Sequence, residues 1–308
     1  MSKAKILIPK PFPTSCDRAT IYETVCCTDI VRGNATLADV RAIALAGQQK
    51  IGEQELSAFP KLELISKFGV GYDSVDVDAA SARGIVVTNT PDVLTDEVAD
   101  LAMGLLVAAV RRIPQAERFL REGHWQVGQG FPLSPSLRGK KVGILGLGRI
   151  GQAIADRLLG MKLDVVYCNR RPKSGCELVY YEDLIRMASD VDVLVVSTPG
   201  GPETEKLVSA EVIAALGAEG TLVNIARGNV VDEDALTKAL QGGALLAAGL
   251  DVFVNEPIVP AALLELDNVV LLPHVGSGAL ETRQRMGDLV FDNLDSWFEG
   301  RGAITPVR

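Results

Sequence analysis

KVGILGLGRIG, the run from Lys141 to Gly151, sets the reading of the whole chain. Val142 to Leu145 is a short apolar stretch of the kind a buried parallel strand needs, and Gly146-Leu147-Gly148-Arg149-Ile150-Gly151 then fits Gly-x-Gly-x-x-Gly. Ile150 to Leu159 reads as the following helix and Leu163 to Tyr167 as the next strand. In such a context Gly146 allows the tight turn, Gly148 lets backbone approach a pyrophosphate, and Gly151 lets the helix pack close to the strand. The N–H groups at the helix start suit phosphate oxygens. A dinucleotide site is therefore expected over Gly146 to Gly151.

At 308 residues the chain has the length of two domains. Hydrophobic residues make up 47% and aromatics only 5%, which favours aliphatic cores of the kind that cover buried parallel sheets. A formal net charge of −8 argues against nucleic acid or an anionic membrane as partner, since a phosphate-tracking surface needs excess Lys and Arg. The five cysteines, Cys16, Cys26, Cys27, Cys168 and Cys176, form no CxxC pair, and their odd number does not suggest a disulfide framework. No metal site is expected, and only two histidines, His124 and His274, are candidates for a proton donor. The opening MSKAKILIPKPFP has too short an apolar core for a signal peptide, and no apolar run is long enough to span a bilayer, so a soluble cytoplasmic protein is expected.

Up to about residue 95 apolar runs alternate with helical stretches. Lys5 to Ile8, Ala42 to Ala46, Leu62 to Ser66 and Ile85 to Thr88 read as strands, with helices near Ile51 to Phe59 and Val77 to Arg83. The loop Lys67-Phe68-Gly69-Val70-Gly71-Tyr72-Asp73 directly follows a strand, where open α/β sheets bind ligands. Asp92 to Arg121 is a long helical pattern that starts at Thr95-Asp96-Glu97 and that Pro114 kinks or splits. Its many apolar residues suggest burial on more than one side, as in an interdomain or intersubunit helix. The stretch Gly123 to Leu137 has little periodicity and carries His124, Trp125 and Phe131. From Lys140 strands at 142–145, 163–167, 191–197, 221–226, 245–250 and 269–272 alternate with helices at 150–159, 181–188, 209–216 and 232–241. A last helix from Ala279 to about Gly300 returns to the first domain. The fold class is thus α/β, two Rossmann-like doubly wound domains with a cleft between them, the second carrying the glycine loop.

An NAD site places an acidic side chain about 20 residues past the glycines, on the ribose 2′-OH. Here that place reads Tyr167-Cys168-Asn169-Arg170-Arg171-Pro172-Lys173, without a carboxylate. Asn169 removes the repulsion an Asp would exert on a 2′-phosphate, and Arg170 and Arg171 supply planar donors for it. NADPH is the expected cofactor, with NAD possible. Three strand ends then offer chemistry: Arg227 after Asn224-Ile225-Ala226, Asp251 and Glu256 in the run from Leu250 to Pro257, and His274 after Val269 to Pro273. One imidazole, one guanidinium and a carboxylate at the carboxyl ends of such a sheet suit hydride chemistry on a carbonyl compound that bears a carboxylate.

Taken with GLGRIG, three segments carry a resemblance: ARGNVVDEDAL from Ala226, LDVF to EP from Leu250 to Pro257, and PHVGS from Pro273. In order and spacing they resemble the D-isomer-specific 2-hydroxyacid dehydrogenases. FPKLELI, GVGYDSVD and TPDVLTDEVADLAMGLL extend the resemblance over nearly the whole chain, and the CNRR turn is most similar to the NADPH-dependent glyoxylate and hydroxypyruvate reductase branch. The resemblance implies a substrate-binding, flavodoxin-like domain of residues 1–97 and 283–308 and an NAD(P)-binding domain of residues 98–282. It implies reduction of a small 2-keto acid to the D-2-hydroxy acid. His274 would be the general acid, and Glu256 would bond its other ring nitrogen and favour the imidazolium. Arg227 would clamp the substrate carboxylate with the backbone N–H groups of Val70 and Gly71. Asp251 would meet the nicotinamide carboxamide, and Thr95 and Thr198 would lie along the cofactor. Trp125 would reach a neighbouring subunit of a homodimer. The alternatives are an NAD-dependent member of lactate or phosphoglycerate type and a dinucleotide-sensing corepressor of the same fold; with no further domain after Arg308, serine-pathway allostery is not expected.

Overall fold

In the computed structural model, residues 3–14, 18–26 and 37–307 are described. Cys16 and Cys27 lie outside them. The chain divides into two compact units, Met1–Leu94 with Ser277–Arg308, and Thr95–Gly276.

The first unit is built on a five-stranded parallel sheet of β1 (Lys5–Leu7), β2 (Glu23–Val25), β3 (Ala42–Ala46), β4 (Leu64–Phe68) and β5 (Val86–Thr88), in the order β2-β1-β3-β4-β5. Helices α1 (Glu53–Ser57) and α2 (Val77–Ala82) lie on one face, and Ile43, Leu45, Ile65, Leu56 and Ala80 share a buried core with them. The 19-residue C-terminal helix Leu280–Phe298 packs on β4 and β3, where the buried Ser66 hydroxyl donates to the Val290 carbonyl at 3.2 Å. The chain after this helix runs back along β5, with Val307 N–H donating to Val87 O at 2.8 Å. β2 is absent from the sequence-based expectation. It is a three-residue edge strand with two exposed residues, too short to show a period.

The second unit opens with α3 (Thr95–Arg111) and α4 (Ile113–Arg121). Pro114 does split the long helix: the break is at Arg112, in the left-handed region at φ 52°, which places Pro114 in the first turn of α4. α3 packs on its own unit's sheet and on α5 (Arg149–Gly160), whose Arg157 pairs with Asp100 at 2.6 Å and Asp96 at 3.0 Å. Strands β6 (Lys141–Leu145), β7 (Asp164–Cys168), β8 (Val179–Tyr181), β9 (Val193–Val196), β10 (Thr221–Asn224), β11 (Ala247–Leu250) and β12 (Val269–Leu271) form one parallel sheet. Between them run α6 (Leu184–Asp190), α7 (Ala210–Leu216), α8 (Glu233–Gln241) and the short α9 (Ala261–Leu264). The order β12-β11-β10-β9-β6-β7-β8 reverses direction between β6 and β9, the switch point at which doubly wound sheets bind ligands.

Two expectations are corrected here. The helix expected at 181–188 begins at Leu184, because Asp183 caps it by accepting the Arg186 N–H at 2.9 Å. Tyr181 instead ends β8, an edge strand the sequence did not announce. β10 stops at Asn224 rather than 226, because the Asn224 side chain takes the Ala226 N–H at 3.0 Å and turns the chain. Among the described residues no helix is long and apolar enough to cross a membrane.

Candidate active site

At the switch point the glycine loop has three distinct environments. Gly146 has φ +98°, and a Cβ there would lie 2.6 Å from Thr198 N, so only glycine lets β6 leave the sheet against the chain after β9. A Cβ on Gly151 would overlap the carbonyl of Gly146, which accepts the Ser197 hydroxyl at 2.7 Å. Gly148 is different: nothing lies within 4 Å of the position its Cβ would take. It precedes α5 as a cap without a side-chain acceptor, so the first N–H groups of that helix face a space a phosphate can enter. The residues present thus fit a dinucleotide.

At the end of β7, Asn169 Oδ1 accepts the Leu147 N–H at 2.7 Å, and its backbone carbonyl accepts the Tyr180 hydroxyl at 3.2 Å. The side chain is therefore held against the glycine loop, and the amide offers N–H donors where an Asp would offer a second anionic oxygen. Arg170 is exposed and pairs with Glu203 at 2.8 Å, while Lys173 donates to Gln152 on α5 at 2.8 Å. Arg171 is exposed on the same turn. Arg149 and Ile150 begin α5, Leu147 is buried under the loop, and Thr95 opens α3 in this same unit.

The other strand ends bring three functional groups together. His274 follows β12 in the left-handed region, at φ 53°, with its N–H donated to Asp251 O at 2.9 Å. Its Nδ1 lies 2.7 Å from Glu256 Oε2, so Nδ1 carries the hydrogen of that bond and Nε2 is left for chemistry. Burial favours the neutral Glu256 carboxyl, but the bond and charge of His274, the Phe253 N–H and the Arg227 charge outweigh it and hold it below the usual carboxylate range. The buried Asp251 carboxylate accepts the N–H of Val275 at 2.7 Å and of Gly276 at 2.8 Å. Burial raises its pKa and those two bonds offset this only in part. Asp251 thus holds the turn that carries His274, and any contact to a carboxamide would use its remaining lone pairs.

Arg227 leaves β10 in extended conformation and donates to the Ala226 carbonyl at 2.7 Å. The buried Asn224 fixes this turn, donating Nδ2 to Arg227 O at 2.9 Å while it accepts the Ala226 N–H. Gly228 packs backbone to backbone on Phe253 and Val254, and Glu233 on α8 accepts the Val254 N–H at 3.1 Å. The loops of Arg227 and Glu256 are therefore one packed assembly. Ser197, Gly200, Glu203 and Asn224 were not singled out from sequence; the Pro199-Gly200-Gly201-Pro202 run after a strand was the available signal for the loop. Val70 and Gly71 belong to the first unit, in the loop leaving β4, where Asn89 donates to Val70 O at 2.9 Å.

The model of the D-isomer specific 2-hydroxyacid dehydrogenase NAD-binding domain matches residues 103–276. A hydroxyphenylpyruvate reductase of Plectranthus scutellarioides is 48% identical over 268 residues, 87% of this chain and 85% of that one. The chain belongs to the D-isomer specific 2-hydroxyacid dehydrogenase family. A glyoxylate/hydroxypyruvate reductase A of Arabidopsis thaliana is 47% identical to this dehydrogenase, with the same coverage of both chains. Its fold matches the crystal structure of an NADPH-dependent glyoxylate/hydroxypyruvate reductase of Sinorhizobium meliloti, in complex with NADP and malonate. The TM-score is 0.92 at 49% identity, covering 99% of the dehydrogenase and 97% of that chain.

Proposed function

We propose that this dehydrogenase reduces a small 2-keto acid of the glyoxylate or hydroxypyruvate type to the D-2-hydroxy acid, with NADPH as preferred cofactor. The observation that carries the proposal is the His274–Glu256 pair at 2.7 Å, beside Arg227, on the sheet that also carries the glycine loop. The bound nicotinamide supplies the hydride. His274, with Nδ1 bonded to the carboxylate, would give its Nε2 proton to the carbonyl oxygen while the carbonyl carbon takes the hydride, so that hydride and proton together supply the two electrons and two hydrogens of the reduction. Arg227 binds the substrate carboxylate, and its fixed positive charge draws electron density from the adjacent carbonyl. Asn169, Arg170 and Arg171 in place of an acidic ribose ligand support NADPH over NADH, as does the likeness to the NADPH-dependent reductase of Sinorhizobium meliloti.

The dehydrogenase works as a homodimer in this reading. Trp125, Val127 and Leu133, between 71% and 107% exposed on the irregular 123–137 stretch, are apolar surface that a second copy would cover, with Trp125 towards the neighbour's pocket. Unbridged thiols at Cys168 and Cys176 fit a cytoplasmic setting.

The test is loss of reduced-nicotinamide absorbance with NADPH or NADH and glyoxylate or hydroxypyruvate. Turnover that prefers NADPH and is abolished by His274→Ala is expected. Tight NADPH binding without turnover on any small 2-keto acid would overturn the reading in favour of a dinucleotide sensor.

A further inference from the structure

Where β9 ends, the chain forms a stiff turn beside the basic turn of β7. The Thr204 hydroxyl donates to Pro199 O at 2.8 Å, its N–H donates to Gly201 O at 3.1 Å, and Pro202–Thr204 forms a single 3-10 turn. One end of the turn is backed by the Arg227 stem, since a Cβ on Gly200 would lie 2.6 Å from Arg227 Cγ. At the other end Glu203 holds Arg170 at 2.8 Å. Both side chains of this pair are largely exposed, at 88% and 76%, so water and salt weaken it and Arg170 can readily exchange one anion for another.

We propose that Glu203 is a cofactor-selectivity residue that competes for Arg170 with the 2′-phosphate of NADPH; this rests on the reading that Arg170 meets that phosphate. NADH has no 2′-phosphate and leaves the Arg170–Glu203 pair as it is. NADPH brings a phosphate dianion to a guanidinium that already holds a carboxylate, and the two anions repel across a few ångströms of water-exposed space. Glu203 therefore weakens NADPH binding selectively and moderates the preference that Asn169, Arg170 and Arg171 create. Neither Arg171 nor Lys173 has a carboxylate in hydrogen-bonding contact among the described residues, so the effect is specific to Arg170.

Dissociation constants for NADPH and NADH, from the change in nicotinamide fluorescence at fixed ionic strength, test this without turnover. The proteins are the parent, Glu203→Gln, Arg170→Gln and the double variant. Glu203→Gln is expected to tighten NADPH about three- to tenfold, as a unit charge a few ångströms from a dianion allows after screening, and to change NADH by less than about twofold. In the Arg170→Gln background the gain should shrink, because the part that comes from freeing Arg170 is lost and only the direct repulsion between carboxylate and phosphate remains. If Glu203→Gln leaves NADPH unchanged, weakens it, or tightens both dinucleotides equally while Arg170→Gln weakens NADPH, the proposal fails and the 2′-phosphate reading stands. If Arg170→Gln leaves NADPH binding unchanged, the 2′-phosphate reading fails and the proposal falls with it.

Discussion

Two carboxylates next to His274 have pKa values shifted in opposite directions. Glu256 is held below the usual range because its ionised form gains His274, the Phe253 N–H and the Arg227 charge. A depressed folded value means that its stability contribution is fully present above the unfolded carboxyl value of about 4.3 and is lost as pH falls through the lower folded value. Glu256→Gln removes that contribution, so the gap in Tm between parent and variant should be widest near neutral pH and close on acidification. Thermal unfolding between about pH 7 and about pH 3 measures it. Asp251 has a raised folded value, so its contribution is present at low pH and is lost as pH rises through that value. Its structural role is separate from its charge. Asp251→Ala strips the acceptors from the part-buried Val275 N–H and the buried Gly276 N–H, at about 1–3 kcal/mol for the buried one left unpaired, and frees the left-handed turn at His274. A lower urea midpoint together with a fall in kcat is the expected result; a fall in neither would remove Asp251 from the support of His274.

Glycines decide how the elements meet. A Cβ on Gly228 would overlap the backbone of Phe253 and Val254, and backbone cannot rotate away as a side chain can. Gly228→Ala should therefore part the loops of Arg227 and Glu256, lowering Tm by an overpacking cost of about 1–3 kcal/mol or more and lowering kcat/KM with it. Gly148→Ala is its counterpart. With open space around it and no positive φ, the new methyl should leave Tm near the parent's and weaken NADPH binding, a split that thermal unfolding and fluorescence titration read separately. The tight turn at Gly146 and the close packing at Gly151 were legible in sequence because strand, turn and helix are contiguous there. The edge strands β2 and β8 were not, because three residues are too few to show an alternation. Arg112 as the break between α3 and α4 was only half legible: Pro114 signals an interruption, but the left-handed residue two positions earlier has no signature of its own. Glu203 was hidden for a different reason. It meets Arg170 across 33 residues of chain, and only the adjacency of the loops after β7 and β9 pairs them.

At the scale of the molecule the chain path makes the two units unequal. Thr95–Gly276 is one continuous segment with its own seven-stranded sheet, and Leu145, Val166, Leu194, Leu222, Leu236 and Leu250 belong to a core that lies wholly within it. α3 belongs to that body: a Cβ on Gly249 of β11 would lie 3.3 Å from Leu105. The first unit is split between both ends of the chain. Its sheet comes from residues before Leu94, but the helix that covers β3 and β4 comes from Leu280–Phe298, with Val290, Phe291 and Leu294 buried in it. Arg18 is tied to Asp292 and Asp295 of that helix, and the Tyr22 hydroxyl to Asp295. A fragment of residues 95–276 should thus fold cooperatively and bind NADPH, since the glycine loop and the β7 turn lie within it. A fragment of residues 1–94 should not fold, because one face of its sheet loses its apolar cover. Urea unfolding followed by circular dichroism, with NADPH titration of the longer fragment, distinguishes the cases. A cooperative transition in the 1–94 fragment would mean that the C-terminal helix is dispensable to the first sheet, and a 95–276 fragment without one would mean that its core needs the rest of the chain.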